Sequence, residues 1–172
     1  RFVQVSSLGA DVSSLSKYSR SKRKGEKSII ENFPDAVVLR PSIIFGPEDN
    51  FFNRFANISL FSPIIPIVGG GTKFQPIYVM DLAKVVIKSA TDNSIKGTFE
   101  IGGPDVLTFN ELISLMLEII DRRRLVFNFP FGIALIEAAI LTFLRKVSFN
   151  LIPSLITIDQ VKQLRHNNIV GQ

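Results

Sequence analysis

Two short apolar runs, residues 2–5 and Ala36-Val37-Val38-Leu39, flank a segment that reads as one long helix, and this strand–helix–strand order most constrains the chain. The first run ends in Ser6-Ser7-Leu8-Gly9, as a buried parallel strand ends in a polar loop. Ser13 to Ser16 supply candidate N-caps for a helix over 17–32, which Pro34 and Asp35 stop. Arg40-Pro41 ends the second run. Strands joined this way form a right-handed crossover unit, so they lie parallel in one sheet. Gly25 lowers the propensity of the helix, and a close approach to a neighbouring element would justify it.

The remaining pattern continues the α/β alternation. Phe45-Gly46-Pro47-Glu48-Asp49 is turn chemistry, followed by a phenylalanine-rich helix over 51–61. Pro63 and Pro66 bracket a short extended piece, and Gly69-Gly70-Gly71 is a flexible loop. Residues 74–79 read as a strand, 80–91 as a helix and 98–101 as another strand. Thr108-Phe109-Asn110-Glu111 is a capping box that opens an amphipathic helix to Asp121. A strand over 125–129, an apolar helix over 132–147 and a last helix over 158–166 complete the pattern. The apolar stretch is shorter than the roughly 20 residues a span needs, and Glu137 interrupts it. Its alternatives are a buried helix and an interfacial or partner-docking one.

At 172 residues the chain can bury one sizeable core, and the start at Arg1 reads as the middle of a longer protein. Without cysteine there is no disulfide framework or thiolate metal site, and His166 alone makes no histidine-rich centre. The net charge of +5 is concentrated at Arg20, Lys22, Arg23, Lys24 and Lys27, and again at Arg122-Arg123-Arg124. Solvated helix faces explain such clusters first, and attraction to anionic lipid or a cofactor phosphate second. No nucleic acid is expected, since no recognition motif or stacking pattern accompanies the charge.

Tyr18 and Lys22 stand four positions apart, so a helix brings phenol and ammonium to one face. An ammonium beside a phenol favours the phenolate, which makes Tyr18 a candidate proton donor or acceptor. Ser6-Ser7 and Leu39-Arg40-Pro41-Ser42 close the two flanking strands. In a doubly wound sheet, ligands sit at the carboxyl ends of strands, so these groups would meet in one crevice.

The order Val5-Ser6-Ser7, Tyr18-x-x-x-Lys22, Leu39-Arg40-Pro41-Ser42-Ile43-Ile44-Phe45-Gly46-Pro47, then Gln75-Pro76-Ile77-Tyr78-Val79-Met80-Asp81 resembles the extended and atypical short-chain dehydrogenase/reductases of epimerase/dehydratase type. Gly46-Pro47-Glu48-Asp49, Phe52-Asn53-Arg54-Phe55 and Phe74-Gln75-Pro76 resemble, more narrowly, the branch containing the nucleotide-binding accessory subunit of respiratory complex I. The resemblance implies the C-terminal part of a doubly wound Rossmann-type parallel sheet plus a smaller mixed α/β substrate-side region. Residues 1–48 would belong to the Rossmann-type part and 49–172 to the substrate side, with parts of 74–101 returning to the main sheet.

The resemblance also implies roles. Tyr18 would be the general acid/base, and Lys22 would assist it and bind the nicotinamide ribose. Ser7, or alternatively Ser6, would orient the substrate oxygen, while the main chain at Pro41, Ser42 and Ile43 would pack beside the nicotinamide. Typical sugar-nucleotide enzymes of the superfamily carry their catalytic serine or threonine one position further along, where this chain has Leu8. NADP or NAD is the implied cofactor of the complete protein. This segment alone would hold none tightly, because the glycine turn that binds the pyrophosphate lies in the family's first half.

The implied partners are subunits of a membrane respiratory complex, with peripheral contact to anionic lipid. The location would be the cytoplasmic or matrix side of the plasma or inner membrane. An active NAD(P)-dependent oxidoreductase or epimerase is the alternative, and a degenerate fragment without independent function a further one.

Overall fold

The computed structural model describes residues 1–132 and 158–171. The segment read above as an apolar helix over 132–147 lies, after Gly132, outside the described residues. The strand–helix–strand unit forms as its spacing dictates. β1 (Val3–Val5) and β2 (Val37–Pro41) are joined by α1 (Lys17–Asn32) and pair in parallel from Val3↔Val37 to Val5↔Leu39. β7 (Gly97–Ile101) pairs with the other edge of β2, giving a three-stranded parallel sheet in the order β1-β2-β7. Val37, Val38 and Leu39 are almost completely buried, which explains an unbroken apolar run with no alternation. Gly25 of α1 has its close approach. A Cβ there would stand 3.4 Å from the Gln4 side chain.

Between β2 and β7 the chain makes β3 (Ile44–Phe45), α2 (Phe52–Phe61), β4 (Ile64–Val68), β5 (Lys73–Phe74), β6 (Ile77–Tyr78) and α3 (Val79–Thr91). After β7 come β8 (Leu107–Thr108), α4 (Phe109–Ile119), β9 (Leu125–Phe129) and α5 (Ile158–Gln163). β3 pairs with β6 and β4 with β9, both in parallel, while β5 and β8 are antiparallel.

Three departures from the sequence reading have a cause in the surrounding structure. Residues 74–79 are two short strands with different partners. Gln75 and Pro76 separate them because Pro76 has no N–H to give a ladder, and Gln75 N bonds instead to Asn168 O at 3.1 Å. The extended piece between Pro63 and Pro66 grows to the five residues of β4, because β9 lies alongside it. The last helix stops at Gln163, where Arg165 N and His166 N bond three residues back and close the helix as turns.

The second layer of packing is apolar. Ile65 and Ile67 of β4, Phe74 of β5, and Phe109, Leu112, Ile113, Met116 and Leu117 of α4 form one buried cluster, edged by Phe51 and Phe55. α4 opens with the expected capping box. Thr108 Oγ1 accepts from Glu111 N at 3.3 Å, and Glu111 Oε2 accepts from Thr108 N at 2.7 Å. The arginine cluster is partly structural rather than solvated. Arg122 Nη1 donates to Ala56 O at 3.1 Å and Ser59 Oγ at 2.9 Å, and Arg124 Nε to Ser59 O at 2.9 Å. Ser59 lies in the last turn of α2, where a cation is favourable.

Candidate functional site

Tyr18, Lys22 and Glu26 follow one another at helical spacing along α1, yet their surroundings differ sharply. Tyr18 is exposed, and the Lys22 ammonium sits 5.6 Å from its ring centroid. This distance suits a cation–π contact. The other cations on α1 with an ion-pair partner are Arg23 and Lys27; among the described residues Lys22 has none.

Glu26 is fully buried. Its carboxylate takes Arg40 Nε at 2.9 Å on Oε1 and Arg40 Nη2 at 2.6 Å on Oε2, with Arg23 Nη1 at 3.0 Å. Burial pushes this carboxyl up, but the hydrogen bonds from Arg40 and Arg23 and the nearness of Ser6 outweigh it, so Glu26 lies below the ordinary glutamate value. Arg40 is held still more firmly charged, by its bond to Glu26 against the cost of burial. The pair ties the helix that carries Tyr18 and Lys22 to the strand that ends in Pro41.

The β1–β2 ladder continues past β1, with Ser6 N bonded to Leu39 O at 2.7 Å and Leu8 N to Pro41 O at 3.0 Å. Ser6 and Ser7 are thereby held against the end of β2. Ser6 Oγ, Ser7 Oγ and Gln4 Oε1 are buried with no hydrogen-bond partner among the described residues. Ser6 stands near enough to favour the charge on Glu26 but falls short of hydrogen-bond geometry. An unpartnered buried hydroxyl costs free energy that a ligand oxygen would recover. Tyr18, Lys22 and Ser7 thus offer a phenol, an ammonium and a hydroxyl, the last two without an ion pair or hydrogen bond among the described residues.

The side chain of Ser42 is committed elsewhere. Its hydroxyl lies 2.8 Å from Asn168 O and 2.6 Å from Asn168 Oδ1, and accepts from Gln75 N at 3.3 Å. Its main chain is fixed too, with Ser42 N on Ile101 O at 2.9 Å and Ile43 O accepting Ile77 N at 2.9 Å. Any contact to a ligand from this stretch is therefore a backbone or packing contact.

The glycine loop serves packing. Gly69 has φ +70°, and a Cβ on Gly70 would collide with Asn128 and Asn110. Among the described residues no cluster could hold a metal ion and no helix is long and apolar enough to cross a membrane.

Sequence reasoning missed two residues. Glu26 had a signal, since it continues the Tyr18–Lys22 stripe onto the buried half of the helix. Asp159 had none: its carboxylate accepts the main-chain N–H of Lys17 at 2.6 Å across 142 residues.

Parallel strands around a crossover helix define a Rossmann-type α/β fold. A UDP-glucuronic acid 4-epimerase from Bacillus cereus, solved with UDP-glucuronic acid and NAD, shares this fold. It superposes with a TM-score of 0.62 at 20% identity, over 75% of this chain and 48% of that one. Residues 9–124 match the RmlD substrate binding domain, and the chain belongs to that short-chain-dehydrogenase-like family.

Among curated relatives, it is 37% identical over 176 residues to the Arabidopsis thaliana NADH dehydrogenase (ubiquinone) 1 alpha subcomplex subunit 9, mitochondrial. That match covers 99% of this chain and 44% of the relative. The Mus musculus protein of the same name is 38% identical over 133 residues, 76% of this chain and 35% of the relative. The chain thus spans less than half the length of these relatives.

Proposed function

We propose that this chain is the C-terminal part of an NAD(P)H-holding accessory or assembly subunit of a respiratory NADH dehydrogenase complex. The observation that carries the reading is the 37% identity to a subunit of that complex along 99% of the chain. Tyr18, Lys22 and Ser7 are the proposed nucleotide-side contacts, with Ser6 the less favoured serine because it faces Glu26. The main chain at Pro41, Ser42 and Ile43 would border the nicotinamide. The cofactor is NADP or NAD in the complete protein, held weakly by this segment alone.

The proposed location is peripheral, on the matrix or cytoplasmic side of the membrane that holds the complex. Contact with anionic lipid would fall to exposed cations such as Lys17 and Lys24, because Arg122 and Arg124 are bound to α2.

A working oxidoreductase or epimerase is the second reading, favoured by the Lys22–Tyr18 contact and by the Ser7 hydroxyl, which has no partner among the described residues. A bound nicotinamide would supply hydride transfer, and Tyr18 would carry the proton. Tyr18→Phe in the full-length protein separates the two. A holder keeps its nucleotide and its place in the complex. An enzyme loses turnover by roughly a hundredfold or more.

A further inference from the structure

α1 has no acidic residue in its first turn, so beyond Ser16 nothing local balances its free N–H groups. Of the helix's own N–H groups, the Ser16 hydroxyl accepts only that of Ser19, at 3.3 Å. The missing acceptor arrives from the far end of the chain. Asp159 of α5 accepts Lys17 N at 2.6 Å through Oδ1, and Tyr18 N at 3.1 Å and the Ser16 hydroxyl at 2.9 Å through Oδ2. Gln163, one turn on, donates to Ser16 Oγ at 3.0 Å. Burial opposes the charge on Asp159, but these amide and hydroxyl donors more than offset it and hold its carboxyl below the ordinary aspartate value.

The helix that delivers Asp159 is itself seated. Val161 is fully buried against Val68, and Thr72 Oγ1 donates to Leu164 O at 2.5 Å. Beyond it, Asn168 holds Ser42 at the end of β2, and Gly171 N reaches Glu100 Oε2 at 2.9 Å. One C-terminal segment therefore touches α1, β2 and β7 around the same strand ends.

We propose that Asp159 is a positioning residue for the nucleotide site: by capping α1 at Lys17 and Tyr18 it fixes the turn that presents Tyr18 and Lys22, so nucleotide affinity depends on α5 being docked. The inference rests on the reading of Tyr18 and Lys22 as nucleotide contacts and extends it to what aligns them.

The test uses the full-length protein with NADPH as fluorescent probe, comparing Asp159→Ala, Asp159→Asn and Thr72→Val. Asp159→Ala should weaken NADPH about tenfold, as loss of a helix cap implies, and Asp159→Asn, which keeps one acceptor oxygen, by a few-fold. Thr72→Val removes one hydrogen bond just past α5 while the buried Val161 keeps the helix docked, so it should lower Tm and leave the NADPH Kd unchanged. If Kd merely follows Tm across the three variants, or stays within twofold in Asp159→Ala, the positioning role is overturned.

Hydrogen exchange in the nucleotide-free protein reads the cap directly. The Lys17 and Tyr18 amides should exchange at least about tenfold faster in Asp159→Ala and unchanged in Thr72→Val. Unchanged exchange in Asp159→Ala also overturns the proposal. Faster exchange together with a wild type that binds no NADPH would sink the nucleotide-holding reading while upholding the cap.

Discussion

The two ends of α1 carry charge in opposite ways. At Glu26 the carboxylate is sealed from water, and Arg40 and Arg23 meet it with hydrogen bonds at 2.6–3.0 Å. Two turns earlier, Tyr18 is exposed, and among the described residues Lys22 makes no ion pair and Ser7 Oγ, just past β1, has no hydrogen-bond partner. A buried charge whose bonds are all made fixes structure and offers nothing to a ligand. Donors left unmet at the ends of parallel strands are where a ligand gains. One helix thus anchors with its second half and presents chemistry with its first.

That contrast can be broken from the anchored end. Glu26→Ala leaves the half-buried Arg40 without its counter-ion beside a void and should cost about 3 kcal/mol in chemical denaturation. A loss below about 1 kcal/mol would show that the pair is not the anchor. Phe109→Ala, in the apolar cluster, should cost a similar ~3–5 kcal/mol, with nucleotide affinity preserved in the fraction that folds.

The acid limb of stability supplies a smaller effect. The folded-state value of Glu26 is depressed relative to the unfolded chain, so its contribution is complete above the usual glutamate value of about 4.3. It is lost as pH falls through the folded value. Glu26→Gln should flatten stability against pH below that point, and an unchanged slope would assign the acid sensitivity to other carboxylates. At the open end, Lys22→Gln should move stability by no more than about 0.5 kcal/mol. Its effect should appear in NADPH affinity of the full-length protein. A large stability loss with unchanged affinity would reverse the assignment of the two ends.

Much of this was legible in the chain. The crossover unit followed from two apolar runs and the capped segment between them, and the Thr108–Glu111 box formed as written. The likeness to short-chain dehydrogenases, carried by Tyr18, Lys22 and the Arg40-Pro41-Ser42 stretch, held at the level of family. Other features were not legible. Residues 74–79 looked like one strand because a local window sees β-branched and aromatic residues. The split at Gln75-Pro76 is decided by Asn168, far along the chain. Arg122 and Arg124 looked like a solvated cluster until α2 presented its carbonyls to them.

By itself the sequence determined the elements and their order, the crossover that makes β1 and β2 parallel, and the helix face shared by Tyr18 and Lys22. Periodicity, caps and breakers act over a few residues, so they can be read there. Only the tertiary structure decided that β4 would find β9, that Glu26 would be sealed by Arg40, and that Asp159 would cap α1. Those contacts join residues distant along the chain, and what selects them is the burial and satisfaction of polar groups that come together only when the whole chain packs.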